Sequence, residues 1–212
     1  MEALHAWVQM AVRNCWHLLS SVNSAQLMES PQPEIWYSMG IWYNLLDTAF
    51  YHTKSIRMLR GEKACKASSR LRNQYRRKTG PGNRKLPVDK LDGVIIALKY
   101  DAIEFGAVEA AKEYDGRGDT KWIKDDNKLA HVLYDMLTRL HSLVDDEDAK
   151  KVQTVGVISA GRHMQMVRCW SNTKGGAAHY DYVGNVHQFP ADFEHVHKHL
   201  WPVMRVVDRF LS

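Results

Sequence analysis

Two short apolar runs constrain this chain's fold more than anything else in it. Val94–Leu98 and Ile103–Ala110 are rich in β-branched side chains and are too short and too close together to be a helix pair, with Tyr100, Asp101 and Ala102 between them. They predict two adjacent strands joined by a tight turn. Three more strands are expected at Thr154–Ser159, Met164–Trp170 and Tyr180–Gln188, with Gly161 in the turn between the first two. Around them lie helical patterns. Residues 2–28 repeat Leu4, Trp7, Val8, Ala11, Cys15, Leu18 and Leu19 at helical spacing. After Pro31 and Pro33, Glu34 to Leu59 carries Ile35, Met39, Trp42, Leu45, Leu46, Ala49 and Phe50. Lys128–Val144 is amphipathic, and a last helix after Pro190 bears Val196, Leu200, Val203 and Val207, with Pro202 placed to kink it. This order predicts an α/β (α+β) core, a mixed central sheet flanked by helices.

The chain has 212 residues, 45% apolar and 25% charged, which suits one domain. Residues 1–30 are expected to form an N-terminal helical arm and 31–212 the domain proper. The three cysteines, Cys15, Cys65 and Cys169, form no CxxC pair and are too few for a disulfide framework, so a reducing, intracellular setting is expected. Glu2, His5, Gln9, Arg13, Asn14 and His17 interrupt the first apolar stretch, so no signal peptide is read. No apolar run approaches the ~20 residues needed to span a bilayer, and no membrane association is expected.

Positive charge is concentrated in one place. Residues 54–90 hold 13 Lys or Arg against Glu62 and Asp89 alone, whereas the rest of the chain is acidic, with 16 basic and 22 acidic residues. Within that segment Arg70, Arg72, Arg76, Arg77, Lys78, Arg84 and Lys85 are candidates to grip the phosphates of DNA or RNA, and Tyr75 to stack on a base. A solvated loop is the plainer reading, and TGPGN places the loop at Arg76–Lys85. The Arg76–Lys78 cluster also suits an import receptor, so the nucleus is preferred over the cytoplasm.

The chemistry-bearing cluster is DKLDGVII at 89–96 with YDAIEFGAVEAAKEY at 100–114. Asp92 lies at the entrance of one predicted strand and Glu109 near the end of the next, so a hairpin brings the carboxylates together. Paired acids at strand ends also serve turns and solubility. Glu109, however, shares strand parity with Ile103, Phe105 and Ala107, which directs its carboxylate toward a covered face. A charge there needs a metal, a partner or a proton. Mg²⁺ takes oxygen ligands, and Lys112 is the nearby ammonium.

Several segments together resemble the fungal branch of the PD-(D/E)XK nuclease-like superfamily: PEIWYSMGIWYNLLDTAF, RGEKACKASSRLRN (60–73), LDGVII, IEFGAVEAAKEYDG and VGVISAGRHMQMVRC (155–169). The resemblance covers about residues 31–210. It implies a restriction-endonuclease-like fold, with Asp92 and Glu109 as Mg²⁺ ligands and a lysine in an E-x-K motif. The motif is broken here. Ala111 stands where that lysine belongs, and Lys112 follows one position late, on the opposite face of a regular strand unless a bulge returns it. Glu34 is a candidate for a further carboxylate, beside the simpler role of a charge at a helix start. Two functions follow as alternatives: metal-dependent phosphodiester hydrolysis or nucleic-acid binding, and a catalytically inactive scaffold that meets a protein partner or its own copy through the N-terminal helices.

Other motifs point elsewhere or nowhere. GxGxxG and GxxxxGK[ST] are absent. His195 and His199 share a helix face, but no Glu accompanies them in the HExxH manner, which favours surface or capping roles. Ser159 sits in VISAG, outside any GxSxG elbow, and Cys169 fits a packed strand better than a nucleophile.

Overall fold

The computed structural model of the chain describes residues 2–21, 24–51, 55–78, 89–98 and 103–211. Its centre is a six-stranded sheet in the order β1 (Ile56–Ala64), β2 (Lys90–Ala97), β3 (Ile103–Ala111), β4 (Gln153–Ala160), β5 (His163–Trp170), β6 (His179–Gln188). β1 to β3 form one antiparallel meander and β4 to β6 another; the two join through the parallel pair β3 and β4. A parallel join requires a crossover, and helix α6 (Thr120–His141) supplies most of it.

Strand alternation sends neighbouring residues to opposite faces. Val108, Val157 and Met166 pack against helices α1 (Glu2–Ser20) and α8 (Val196–Leu211), whereas Ala107, Ile158 and Val167 pack against Leu129, Leu133 and Leu137 of α6. Trp7, Ala11, Cys15 and Leu19 of α1 belong to the first core. Buried tryptophans there keep their N–H groups satisfied: Trp7 Nε1 donates to the Leu45 carbonyl and Trp42 Nε1 to that of Gly161, each at 2.9 Å.

The five predicted strands are present within a few residues of their expected limits. Four expectations change. The 2–28 pattern divides into α1 and α2 (Ser24–Glu29). The helix expected over 34–59 stops at Tyr51, running as α3 (Glu34–Trp36), a π-helical stretch Tyr37–Asp47 and α4 (Thr48–Tyr51), and β1 begins at Ile56. β1 is an edge strand of charged and half-exposed residues, so it lacks the apolar alternation that marks a strand in sequence. The basic segment opens with helix α5 (Lys66–Lys78), which replaces the first part of the expected Arg76–Lys85 loop; residues 79–88 lie outside the described set. Finally, α6 begins at Thr120, well before Lys128, with Asp119 as its N-cap accepting from Trp122 N at 3.0 Å. Among the described residues, no helix is long and apolar enough to cross a membrane.

Candidate acidic site at the parting of two strands

The ladder between β2 and β3 ends at Gly93 and Val108. Beyond it the strands separate, and Asp92 reaches across the gap: its Oδ2 accepts a hydrogen bond from Ala110 N at 2.8 Å. The side chain thus replaces a ladder partner and is held in one orientation. Glu109, one residue earlier on β3, turns to the α6 side of the sheet and is only 2% exposed, as its strand parity predicts.

Facing Glu109 is Lys128, from the second turn-pair of α6. Its Nζ lies 2.8 Å from Oε1 and donates to Oε2 at 2.9 Å. About two α-helical turns earlier on the same face, Lys121 Nζ pairs with Asp125, 2.8 Å from Oδ1 and 2.7 Å from Oδ2. Glu34, at the start of α3, completes the group electrostatically, since its charge interacts with those of Asp92, Lys121 and Asp125.

Titration behaviour reflects this crowding. Burial pushes Glu109 up to about 7; Lys128 opposes that rise, while Asp92 and Asp125 add to it. Asp125 is raised for the same first reason, burial, against the hydrogen bond and charge of Lys121. Glu34 is raised by partial burial and by Asp92, with Lys121 opposing. Four carboxylates therefore share two ammoniums, and full ionisation would leave two negative charges in excess.

The donor set suits a hard divalent cation, because every candidate ligand is a carboxylate oxygen. Oε1 of Glu109 and Oδ2 of Asp125 are buried and accept no hydrogen bond among the described residues, although Lys128 and Lys121 Nζ lie 2.8 and 2.7 Å from them. No group of three or more Asp, Glu, His or Cys side chains among the described residues lies within reach of one metal ion. The donor chemistry fits, and the shell is not closed by carboxylates alone.

Asp92 and Glu109 are thus brought side by side at the parting of β2 and β3, while Glu34 couples to Asp92 through charge alone. Lys112 stays outside. β3 ends at Ala111, and Lys112, just beyond it, is 52% exposed and pairs with Glu113 at 2.9 Å. Reasoning from sequence missed Lys121, Asp125 and Lys128. Their signal was present: K-x-x-x-D-x-x-K places all three along one face once the Asp119 cap sets the helix start.

Of the basic residues, Arg70 is exposed on α5, and Arg72 pairs with Asp89 just before β2. Tyr75, Arg76, Arg77 and Lys78 lie in the last turns of α5, and Arg84 and Lys85 fall outside the described residues. His195 caps locally, its Nδ1 lying 2.7 Å from Oδ1 of Asp192. No protein-family model, curated protein or solved structure matches the chain.

Proposed function

We propose that the chain is a metal-dependent nuclease that hydrolyses phosphodiesters of DNA or RNA on a restriction-endonuclease-like core. The observation that carries this reading is the meeting of Asp92, Glu109 and Lys128 where β2 and β3 part, an acid pair on adjacent strands with an ammonium directly on the second acid. Lys128 takes the place that the late Lys112 leaves open, reaching the same carboxylate from a helix instead of from the strand.

Asp92 and Glu109 would hold Mg²⁺, with water completing its shell. Bound there, the cation would polarise the phosphodiester and lower the pKa of an attacking water. Asp92 is fixed for this by Ala110 N. Without the cation, burial lifts the Glu109 pKa to about 7, so binding Mg²⁺ near neutrality would displace a proton, and Lys128 keeps its carboxylate oriented. The exposed cations of α5 would neutralise the nucleic-acid backbone, so binding should weaken as salt rises.

The test is cleavage of labelled single- and double-stranded DNA and RNA in Mg²⁺ or Mn²⁺, by wild type, Asp92→Ala, Glu109→Gln, Lys128→Met and Lys112→Ala, with binding measured in EDTA. Metal-dependent cutting lost in the first three variants and kept in Lys112→Ala supports the assignment. One observation favours a second reading, a catalytically silent binding module: the ammoniums of Lys121 and Lys128 already neutralise half of the acidic group. Binding in EDTA with no cutting in either metal selects that reading.

A further inference from the structure

A second concave site lies at the far end of α6 from Lys121 and Lys128. A cavity of about 770 Å³ opens between the start of α5, the last turn of α6 with the residues just after it, and the adjoining ends of β2 and β3, within the size range of small-molecule sites. Its walls are apolar: Ile103 and Phe105 from β3, Leu140 from the last turn of α6, and Leu143 and Val144 just beyond it. Its charged groups are Lys66, Arg70, Arg139 and Glu104.

The three cations and the carboxylate differ in one respect. Glu104 is buried and already engaged: Oε1 accepts from Lys66 N at 3.1 Å, and Oε2 from Ala67 N at 2.9 Å with the Cys65 thiol at 3.7 Å. It ties α5 to β3 and has little capacity left for a ligand. By contrast, the side chains of Lys66 and Arg70 make no ion pair among the described residues, and the hydrogen bond from Arg139 Nη1 to Ser142 Oγ, at 3.2 Å, leaves the rest of that guanidinium open. The cavity therefore presents unspent positive charge beside an apolar wall.

We infer that this cavity binds a small organic anion, one acidic head group carried on an apolar body. The head would meet Arg70 and Arg139, whose guanidinium forks suit a carboxylate or phosphate, and the body would cover Phe105, Ile103 and Leu140. It uses no metal and no residue of the acidic site, and shares with the nuclease reading only the α5 cations Lys66 and Arg70.

The test is calorimetric titration of the full-length chain, free of nucleic acid and divalent metal, with decanoate, decylammonium and acetate. Decanoate is expected to bind saturably at one equivalent, with the other two at least about tenfold weaker, since one lacks the anion and the other the apolar body. Arg70→Gln with Arg139→Gln should weaken decanoate about tenfold while leaving the melting temperature in place. Leu143→Glu, at an exposed rim position, should do the same by repelling the anion, which gives a second variant with little risk to folding. No saturable decanoate binding, equal binding of the three probes, or binding indifferent to all of these substitutions would overturn the inference. Because cleavage is not read out, its failure and that of the nuclease assignment are separate results.

Discussion

The ammonium of Lys128 holds both carboxylate oxygens of Glu109, although 19 residues separate them in the chain. That contact joins the crossover helix to the strand it follows, and it opposes the rise in the Glu109 pKa that burial causes. A carboxylate 2% exposed would be costly without a cation, and the cation here comes from the protein itself.

The pH dependence of stability follows from this pair. Burial raises the Glu109 pKa from 4.5 to about 7, so the folded state holds the proton more tightly than the unfolded chain does. The group's stabilising contribution is complete below 4.5 and is lost as pH rises through 7. Glu109→Gln does not titrate. Its stability relative to wild type should therefore rise by about 2–3 kcal/mol between pH 5 and pH 8 in urea unfolding. A constant difference across that range would exclude the shifted carboxyl.

The two lysines near Glu109 should behave differently when truncated. Lys128→Met leaves a buried carboxylate without its cation and should destabilise the fold by about 1–3 kcal/mol. Lys112→Met removes an exposed pair with Glu113 and should stay within roughly 0.5 kcal/mol of wild type. Equal effects in equilibrium denaturation would contradict the placement of both.

Gly156, in the middle of β4, lets α6 approach the sheet. An added Cβ would lie 2.7 Å from Val167 Cγ2, 2.8 Å from Leu129 Cδ2 and 2.9 Å from Leu133 Cδ1. Gly156→Ala should lower stability by about 1–3 kcal/mol through overpacking. Because the helix carrying Lys128 is displaced with it, the Glu109 titration, followed by NMR, should shift as well.

A second buried pair tethers β1. Arg60 donates from Nε to both oxygens of Asp47 at 3.1 Å and from Nη2 to Oδ1 at 2.6 Å. Arg60→Met strands the Asp47 charge in the interior and should lower stability by about 3 kcal/mol or more in thermal or urea unfolding. Adding Asp47→Asn should recover part of that loss, since a neutral amide is easier to bury than an unpaired carboxylate.

Burial was legible wherever alternation or helical spacing was clean. The parity of Glu109 with Ile103, Phe105 and Ala107 announced a covered acid on β3, and β2 to β6 were readable from their apolar or alternating runs. Charged elements were not. β1 interleaves Ile56 and Met58 with Arg57 and Arg60 at the sheet edge, and α5 is basic along most of its length, so neither carries an apolar signature. The same effect hid the first turns of α6, where Lys121, Lys124, Asp125 and Asp126 look like a solvated loop. Lys128, the ammonium of the acidic site, lay at the start of the expected helix but carried no role there, since a lysine that reaches its partner from another element is not marked by the spacing within its own.

Both outer strands are interrupted. The β1–β2 register shifts between Arg60 and Lys63, around Gly61 at φ 89°, and the β5–β6 register shifts opposite the stretch of β6 that contains Gly184 at φ 74°. Each irregularity bends an edge that would otherwise offer a straight row of unpaired backbone groups, and Arg57, Glu62 and Lys63 add charge to the first. The sheet therefore ends at six strands because neither border is a good template for a seventh, which protects the folded chain against edge-to-edge aggregation.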